Sequence, residues 1–386
     1  MFSMVEEKGY QTKTFITLLI MMKKTLFVLS TAFAVLFSQN AFACTGINFS
    51  AADGTYVSGR SVEWGTAKRE SKLVIMPRGA KYQAYTSTGE KNGHKWTGKY
   101  GFVGISLVED SYIGEGVNEA GLNAGMFYFA GFGSLTPYNK KHAAKSLVDM
   151  NFVMWLLSNF ATVEEVKANL NKIIVVPVAY NKDGTPFPTA HWRVTDAKGG
   201  SIVIEIMNEG KINIHDNKIG VFTNSPDYPW HITNLSNYVD LRPGVAGGFQ
   251  FNGVKVESLG GTSAMLGLPG DYTPPSRFVR AFFVLGTAPK AANAENAIKQ
   301  GFQLLKGFTI PVGLEITPGT PYPDMPSATQ WTAFSDLTNK IFYYNTMYNS
   351  AVRKIDLKKI NFETVQQGTY PLDMQGEEQF QEILVK

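Results

Sequence analysis

Short runs in which apolar and polar residues alternate predict strands in two parts of the chain. In the first part they cover residues 45–49, 56–64 and 73–76, and the pair Asp53-Gly54 predicts a turn after the first run. In the second part they cover residues 192–194 and 202–206. The first group predicts an N-terminal sheet that carries Cys44.

Apolar residues spaced three and four apart predict helices between and after these strands. Residues 150–157 and 163–173 follow this spacing, and Thr162 is a suitable N-cap before Glu164 and Glu165. Strands and helices that occur in separate blocks are typical of a layered α+β domain.

The last third of the chain predicts a second helical pair and a closing hairpin. The helices cover residues 277–285 and 291–305, and the hairpin joins residues 330–334 to 340–344 across residues 335–339. We interpret the proline-rich residues 311–326 as one long loop.

The beginning of the chain resembles a secretory signal peptide. Lys23 and Lys24 precede an apolar run over residues 25–37, and the small residues Ala41 and Ala43 follow it. This order predicts cleavage after Ala43 and a periplasmic or secreted protein. The apolar runs are shorter than the ~20 residues of a membrane-spanning helix, so we expect no stable membrane insertion after cleavage.

The residues upstream of this signal are not needed for export, which makes Met21 or Met22 the expected translation start. Removal of 43 of the 386 residues leaves 343, and the predicted domain covers residues 44–386. The leader carries four lysines and two glutamates, so the formal net charge falls from +4 to +2. So weak a positive charge argues against nucleic acid as a partner.

Cys44 is the only cysteine in the chain and would become the first residue after cleavage. A lone cysteine is often an inert core residue. Lipid attachment is a second possibility, although lipoproteins usually carry an aliphatic residue where this chain has Ala41. The third possibility is an N-terminal nucleophile, because an α-amine with a pKa of ~7.7–8 can accept the proton of its own thiol.

Other catalytic classes lack their characteristic residues. The five histidines are scattered without the spacing of a metal site, and no G-x-S-x-G motif is present. Gly114-Glu115-Gly116 lacks the third glycine of a dinucleotide-binding loop. We therefore expect neither a metal nor a cofactor.

Several longer motifs together resemble the choloylglycine hydrolase family of linear amide hydrolases, which includes bile salt hydrolases and penicillin V acylases. They are CTG at 44–46, GRSVEW at 59–64, MPRG at 76–79, NEAGLNAGMFYF at 118–129, TNSP at 223–226, LPGDYTPPSRFVR at 268–280 and TQWTAFSDLTNKIFYY at 329–344. The resemblance implies a four-layered αββα fold of the N-terminal nucleophile hydrolase type, a small-molecule acyl-amide substrate and a homotetramer.

The resemblance also implies roles for the matching residues. Cys44 would attack the substrate carbonyl, with its own amine as the base. Arg60 would lie beside the sulfur and lower the pKa of the thiol. Asn224 and Tyr128 would face the tetrahedral oxyanion, and Arg277 would hold the active-site network.

Glu63 departs from the family pattern, which has aspartate at this position. The carboxylate is thought to bind the N-terminal amine, and the added methylene moves it by about a bond length. We expect Glu63 still to pair with the amine, so that Glu63→Ala cuts turnover sharply.

The substrate and even the catalytic competence of the chain stay open at this point. Tyr128 favours a penicillin V acylase-like amidase, with conjugated bile salts or acyl-homoserine lactones as alternative substrates. A catalytically inactive binding protein or a lipoprotein anchored through Cys44 is the alternative of another class. Several aromatic residues could line an acyl pocket or belong to the core: Phe127, Phe129, Phe132, Tyr138 and Trp230.

Overall fold

The computed structural model describes residues 42–374, 376–378 and 380–385. The predicted leader lies outside the described residues except for Phe42 and Ala43, which begin the first strand. In the described residues no helix has the length and apolar character needed to cross a membrane.

The strands of the described residues are numbered in chain order. They are β1 (Phe42–Ser50), β2 (Tyr56–Trp64), β3 (Lys72–Met76), β4 (Lys81–Gln83), β5 (Lys95–Thr97), β6 (Phe102–Ser106), β7 (Ile113–Asn118), β8 (Asn123–Tyr128), β9 (Ser146–Val148), β10 (Ile174–Val176), β11 (Ala190–Thr195), β12 (Ser201–Met207), β13 (Lys211–Asp216), β14 (Val221–Phe222), β15 (Phe249–Phe251), β16 (Val254–Val256), β17 (Thr329–Asp336), β18 (Ile341–Thr346), β19 (Asn349–Asp356) and β20 (Gly368–Pro371).

The α-helices of the same residues are fewer and lie in two groups along the chain. They are α1 (Phe152–Asn159), α2 (Val163–Asn169), α3 (Tyr228–Asn234), α4 (Pro274–Thr287) and α5 (Ala294–Lys306).

Two sheets contain most of these strands. The first sheet has the order β14-β1-β2-β17-β18-β19, and the second has the order β13-β12-β11-β8-β7-β6-β3-β20. The sheets face each other closely where β1 crosses β8 and β11. At Gly46 an added Cβ would meet Arg193 Nη1 at 2.5 Å and Phe127 Cζ at 2.8 Å. Only glycine leaves room for the second sheet at this point.

Helices cover the outer face of each sheet. On the first sheet, Phe334 of β17 lies against Gly301 of α5, and Arg277 of α4 reaches Cys44 of β1. On the second sheet, Leu157 of α1 lies against Gly116 of β7. The order is therefore helices, sheet, sheet, helices, which is the predicted αββα arrangement.

Most predicted elements are confirmed, with small shifts at their ends. Thr162 caps α2 as predicted, because its side chain accepts a hydrogen bond from the Glu165 backbone. The predicted helix over 163–173 ends sooner, at Asn169, and continues as a short 3-10 turn. The proline-rich loop also contains a 3-10 turn, Val312–Glu315.

The strand patterns did not predict the centre of the second sheet, which consists of β6, β7 and β8. Glycines interrupt the apolar alternation there, and they are needed because buried groups approach the backbone. An added Cβ at Gly125 would lie 1.9 Å from Glu115 Oε2. Tertiary packing therefore determines that these residues form strands. The strand propensities of the single residues do not predict it.

Candidate active site

Cys44 lies in β1 opposite Val62 of β2, and only 5% of the residue is exposed. Side chains alternate between the two faces of a strand, so Cys44 points to the same side as Gly46, which contacts the second sheet. Val62 and Arg60 share this side on β2. The thiol therefore faces the space between the sheets.

A pocket opens in this space beside the thiol. Its wall is mainly apolar, and the polar side chains in it are Arg60, Tyr128, Asp149 and Thr189. The apolar part consists of Val62, Trp64, Leu107, Val108, Met126, Met150, Pro188 and Ala190. This lining suits an apolar group beside the sulfur better than a charged one.

Arg60 is a buried cation beside this pocket. Its Nη1 donates hydrogen bonds to the carbonyl oxygens of Met126 and Gly114, and its Nε donates to Ser61 O. Its guanidinium also lies over the Phe127 ring, 3.9 Å from the centroid. These contacts fix the charge in place, because a buried guanidinium needs a partner for its donors.

Asn224 lies where the strand pairing of β1 ends. β14 pairs with β1 at Gly46 and Ile47 and stops at Phe222, so Asn224 follows two residues later in the direction of Cys44. Its Oδ1 accepts a hydrogen bond of 2.8 Å from Cys44 N. The side chain thus replaces the backbone acceptor that a longer strand would provide.

Arg277 connects this asparagine with the cysteine backbone. Its Nη2 donates to Asn224 Oδ1 over 2.8 Å, and its Nη1 donates to Cys44 O and, over 2.9 Å, to Thr45 Oγ1. Because both neighbours of Asn224 Oδ1 are donors, the orientation of the amide is fixed, and its nitrogen points to Tyr128. Asn224 Nδ2 donates to Tyr128 O over 3.0 Å.

Tyr128 is the last residue of β8 and lies partly buried at the pocket. Burial raises the pKa of its hydroxyl, so this group stays neutral at physiological pH. Its backbone carbonyl fixes Asn224, and the residue lines the pocket. The structure therefore brings Tyr128 and Asn224 together, as the sequence predicts.

Glu63 occupies the opposite face of the first sheet. It is fully buried and lies opposite Ala43 in the pairing of β1 with β2. Burial raises the pKa of Glu63 to about 8, although the positive charge of Arg277 opposes this shift. Its Oε1 accepts a hydrogen bond of 3.4 Å from Thr329 Oγ1, and within the described residues its Oε2 has no hydrogen-bond partner.

Burial also raises the pKa of the Cys44 thiol, and the charges around it act in both directions. Arg60 and Arg277 favour the thiolate, as does a hydrogen bond with Asn224, whereas Glu63 disfavours it. In this structure Ala43 is still attached to Cys44, so Cys44 N is an amide and cannot act as a base. The thiol therefore stays protonated in this state.

The aromatic residues considered for the pocket lie elsewhere. Phe127 and Phe129 are fully buried in the core, where Phe127 lies under Arg60 and Phe129 stacks on His191. Phe132 and Trp230 are 41% and 43% exposed. Tyr138 packs against a separate cluster of buried residues. Apolar runs in the sequence did not reveal which side chains turn towards the pocket.

Three residues close to the site had no sequence signal beyond their residue type. His191 and His231 contact the carbonyl oxygens of Thr223 and Asn224, and Glu205 contacts His191. Their spacing along the chain is irregular, and only the tertiary structure brings them to one segment. In the part of the chain that the structure describes, no group of three or more histidine, cysteine or carboxylate side chains could hold a metal ion.

Comparison with known proteins agrees with this geometry. Residues 44–370 match the family of linear amide C-N hydrolases, choloylglycine hydrolase family. The chain is 32% identical over 333 residues to a bile salt hydrolase/transferase of Clostridium perfringens, covering 85% of this chain and 96% of the relative. It is 28% identical to a penicillin V acylase of Pectobacterium atrosepticum, covering 88% of each chain.

A solved structure supports the same relationship. A variant of the conjugated bile acid hydrolase from Clostridium perfringens superposes with a TM-score of 0.73 at 29% identity, covering 88% of this chain and all of that one. The relatives hydrolyse amide carbon–nitrogen bonds that are not peptide bonds, and their fold is the N-terminal nucleophile hydrolase fold. The chain therefore belongs to the choloylglycine hydrolase family of linear amide hydrolases.

Proposed function

We propose that this chain is an exported amidase that uses Cys44 as its N-terminal nucleophile and acts on penicillin V-like acyl amides. One observation carries the proposal: Cys44 N and Arg277 Nη2 meet at Asn224 Oδ1, next to a thiol that faces an apolar pocket. The family match also begins at Cys44. Removal of the leader converts Cys44 N from an amide into an amine at the same place.

Acylation begins when this amine takes the proton of the thiol. The thiolate then attacks the substrate carbonyl, and a sulfur–carbon bond forms as the carbonyl oxygen becomes an oxyanion. Asn224 Nδ2 and a backbone or side-chain group of Tyr128 would donate hydrogen bonds to this oxygen. The tetrahedral intermediate collapses, the carbon–nitrogen bond breaks, and the Cys44 ammonium gives its proton to the leaving amine.

Deacylation repeats these steps with water. The Cys44 amine takes a proton from the water, the hydroxide attacks the thioester, and the carbon–sulfur bond breaks to give the carboxylic acid and the thiol. Arg60 stabilises the thiolate in both halves of the reaction because its positive charge is fixed beside the pocket.

Glu63 would meet the amine from the other face of the sheet. It lies opposite Ala43, which leaves when the leader is removed. The new ammonium group would then provide a positive charge near a buried carboxyl whose pKa is about 8. Pairing with the ammonium favours the carboxylate form, so Glu63 and the amine would stabilise each other's charges.

The pocket favours a compact apolar acyl group. Trp64, Met126 and Met150 can enclose an aryl ring such as phenoxyacetyl, while Tyr128 lies near the reacting carbonyl. Conjugated bile salts are the second candidate, because the Clostridium perfringens relative at 32% identity is named a bile salt hydrolase/transferase.

A homotetramer is the expected assembly, and an exposed hairpin supports an interface. In the hairpin of β15 and β16, Phe249 and Phe251 are 64% and 67% exposed, and Val254 beside them is also exposed. Exposed apolar residues in such a group are typical of a protein–protein contact. Native mass spectrometry of wild type and of Phe249→Glu tests this, with a tetramer expected for wild type and smaller species for the variant.

The first experiment is an intact-mass measurement on protein recovered from the periplasm, followed by assays with penicillin V, glycocholate and acyl-homoserine lactones. We expect the mass of residues 44–386 without additions, and hydrolysis that is fastest with penicillin V. A retained leader or an added diacylglyceryl group would contradict the mechanism. Preference for glycocholate would instead assign the chain to bile salt hydrolysis.

A further inference from the structure

Two buried histidines bind neighbouring carbonyl groups of the segment that carries Asn224. His191 Nε2 lies 3.0 Å from Thr223 O, and His231 Nε2 lies 2.8 Å from Asn224 O. Both histidines are fully buried, as is the segment itself. The strand pairing has stopped at Phe222, so no sheet partner provides donors for these carbonyls. The imidazoles take the place of those donors.

Each imidazole is held in one orientation by an aromatic ring. His191 stacks on Phe129 with ring centroids 4.1 Å apart, and His231 stacks on Phe278 with centroids 4.4 Å apart. The planes are inclined by only 12° and 10°. Because Phe278 follows Arg277 in α4, the same helix positions His231 and the guanidinium that binds Asn224.

The neighbours of each ring decide which nitrogens carry a proton. His191 Nδ1 faces Glu205 Oε1 at 3.1 Å and its Nε2 faces Thr223 O at 3.0 Å, so donation at both nitrogens requires the imidazolium form. Burial lowers the pKa of His191, and the Glu205 carboxylate opposes this shift by favouring the imidazolium. Glu205 Oε1 also accepts a hydrogen bond from Tyr228 N. His231 Nδ1 has no hydrogen-bond partner in the described residues, so its Nε2 carries the hydrogen that binds Asn224 O.

We propose that His191 and His231 are positioning residues, which hold the backbone of Thr223 and Asn224 so that the Asn224 amide stays aligned on Cys44. The inference rests on the proposed function, because that function gives Asn224 its role at the oxyanion. Neither histidine contacts the thiol. Both act through the segment, which Ser225 Oγ also fixes by donating to Ala130 O.

The charges around these groups allow the role to be measured through the thiol. Arg60, Glu63, Arg277 and Asn224 all influence the pKa of Cys44, and Asn224 lowers it. His191, Glu205 and Arg277 influence His231, and burial lowers its pKa to about 4, so it stays neutral during an assay near pH 7. A change in the thiol titration therefore reports on Asn224 without interference from ionisation of His231.

Two variants of His231 separate the hydrogen bond from the packing. His231→Phe preserves the stacking on Phe278 but removes the donor, whereas His231→Gln keeps an N–H group near Asn224 O. His94→Phe is a matched control, because His94 also faces a carbonyl, Ala144 O at 3.2 Å, and also stacks on a ring, Trp96.

The experiment compares kcat, KM, melting temperature and the pH dependence of Cys44 alkylation by iodoacetamide. For His231→Phe we expect kcat to fall at least about tenfold with little change in KM, since small misplacement of a reacting group costs this much. We expect the alkylation midpoint to move to higher pH. His231→Gln should recover most of both effects, and His94→Phe should show neither.

The outcomes distinguish this inference from the proposed function. If the wild type hydrolyses none of the three substrates, the proposed function fails, while the alkylation midpoints of a single-cysteine chain still test the positioning role. If the wild type is active but His231→Phe keeps its kcat and alkylation midpoint, the positioning role is wrong. The positioning role is also wrong if His231→Phe and His231→Gln lose kcat equally and in proportion to their loss of melting temperature.

Discussion

The two faces of the first sheet differ sharply in chemistry at Cys44. The inner face carries the thiol and Arg60 beside an apolar pocket. The outer face carries Glu63 and Arg277 under the helices, without access to that pocket. Under the proposed function this difference is a division of labour: the substrate would meet the sulfur on the inner face, and the cysteine backbone is held from the outer face.

The sharpest test removes the reactive group on the inner face. Cys44→Ala should reduce turnover by about 10³-fold or more, because no other residue can form the thioester. The side chain is small, so the melting temperature should change little. Measurements of kcat and thermal unfolding check this. Residual activity near the wild-type value would show that the two faces are not divided as we describe.

Arg60→Met tests the cation of the inner face next. The variant keeps much of the volume but loses the charge that favours the thiolate, so the midpoint of Cys44 alkylation should move to higher pH. We expect kcat to fall by about 10- to 100-fold. Thr45→Val, on the outer face, is the control and should leave the midpoint nearly unchanged.

Glu63→Gln tests the outer face through the pH dependence of stability. The folded chain with Ala43 attached holds the Glu63 proton up to pH about 8. An unfolded glutamate releases it near ~4.3. The folded state therefore binds the extra proton between these values, so the free energy of unfolding should fall as pH rises through this window and level off above it.

In Glu63→Gln this slope should be smaller, most clearly above pH 7, because burial raises the pKa values of Asp149 and Glu315 only to about 6 and about 7 and their part of the slope remains. Chemical denaturation of the leader-retaining protein between pH 5 and 9 provides the measurement. A variant with the same slope as the wild type would place the titrating group elsewhere.

The smallest expected effect belongs to a single hydrogen bond of the outer face. Thr45→Val preserves the shape of the buried side chain but removes the hydroxyl that accepts from Arg277 Nη1. We expect a loss of about 1 kcal/mol in the free energy of unfolding, because Arg277 Nη1 keeps its bond to Cys44 O. A loss several times larger would mean that Thr45 is essential for orienting Arg277.

The sequence predicts the layered fold and the central residues of the site to a useful extent, because both depend on local pattern and on motifs. Alternation revealed β1 and β2, and helical spacing with the Thr162 cap revealed α2. The motif resemblance selected Cys44 and Asn224, which the structure brings together.

What escaped prediction depends on contacts between distant parts of the chain. The glycines around Gly125 interrupt the strand pattern because the facing carboxylate of Glu115 needs the space. His191 lies 32 residues before Thr223, and only the folded chain brings them together. The pocket wall consists of residues such as Leu107 and Met150, whose orientation depends on how the sheets and loops pack.

The early end of β14 has a consequence for the leader removal that we propose. A side-chain amide, rather than another rung of the β-ladder, receives the nitrogen of Cys44. An asparagine oxygen accepts equally well from a peptide N–H and from a newly released amine, so removal of the leader need not rebuild the surroundings. If the leader is removed as we propose, the chain is already folded around its new terminus, and proteolysis alone would change the Cys44 amide into the catalytic amine.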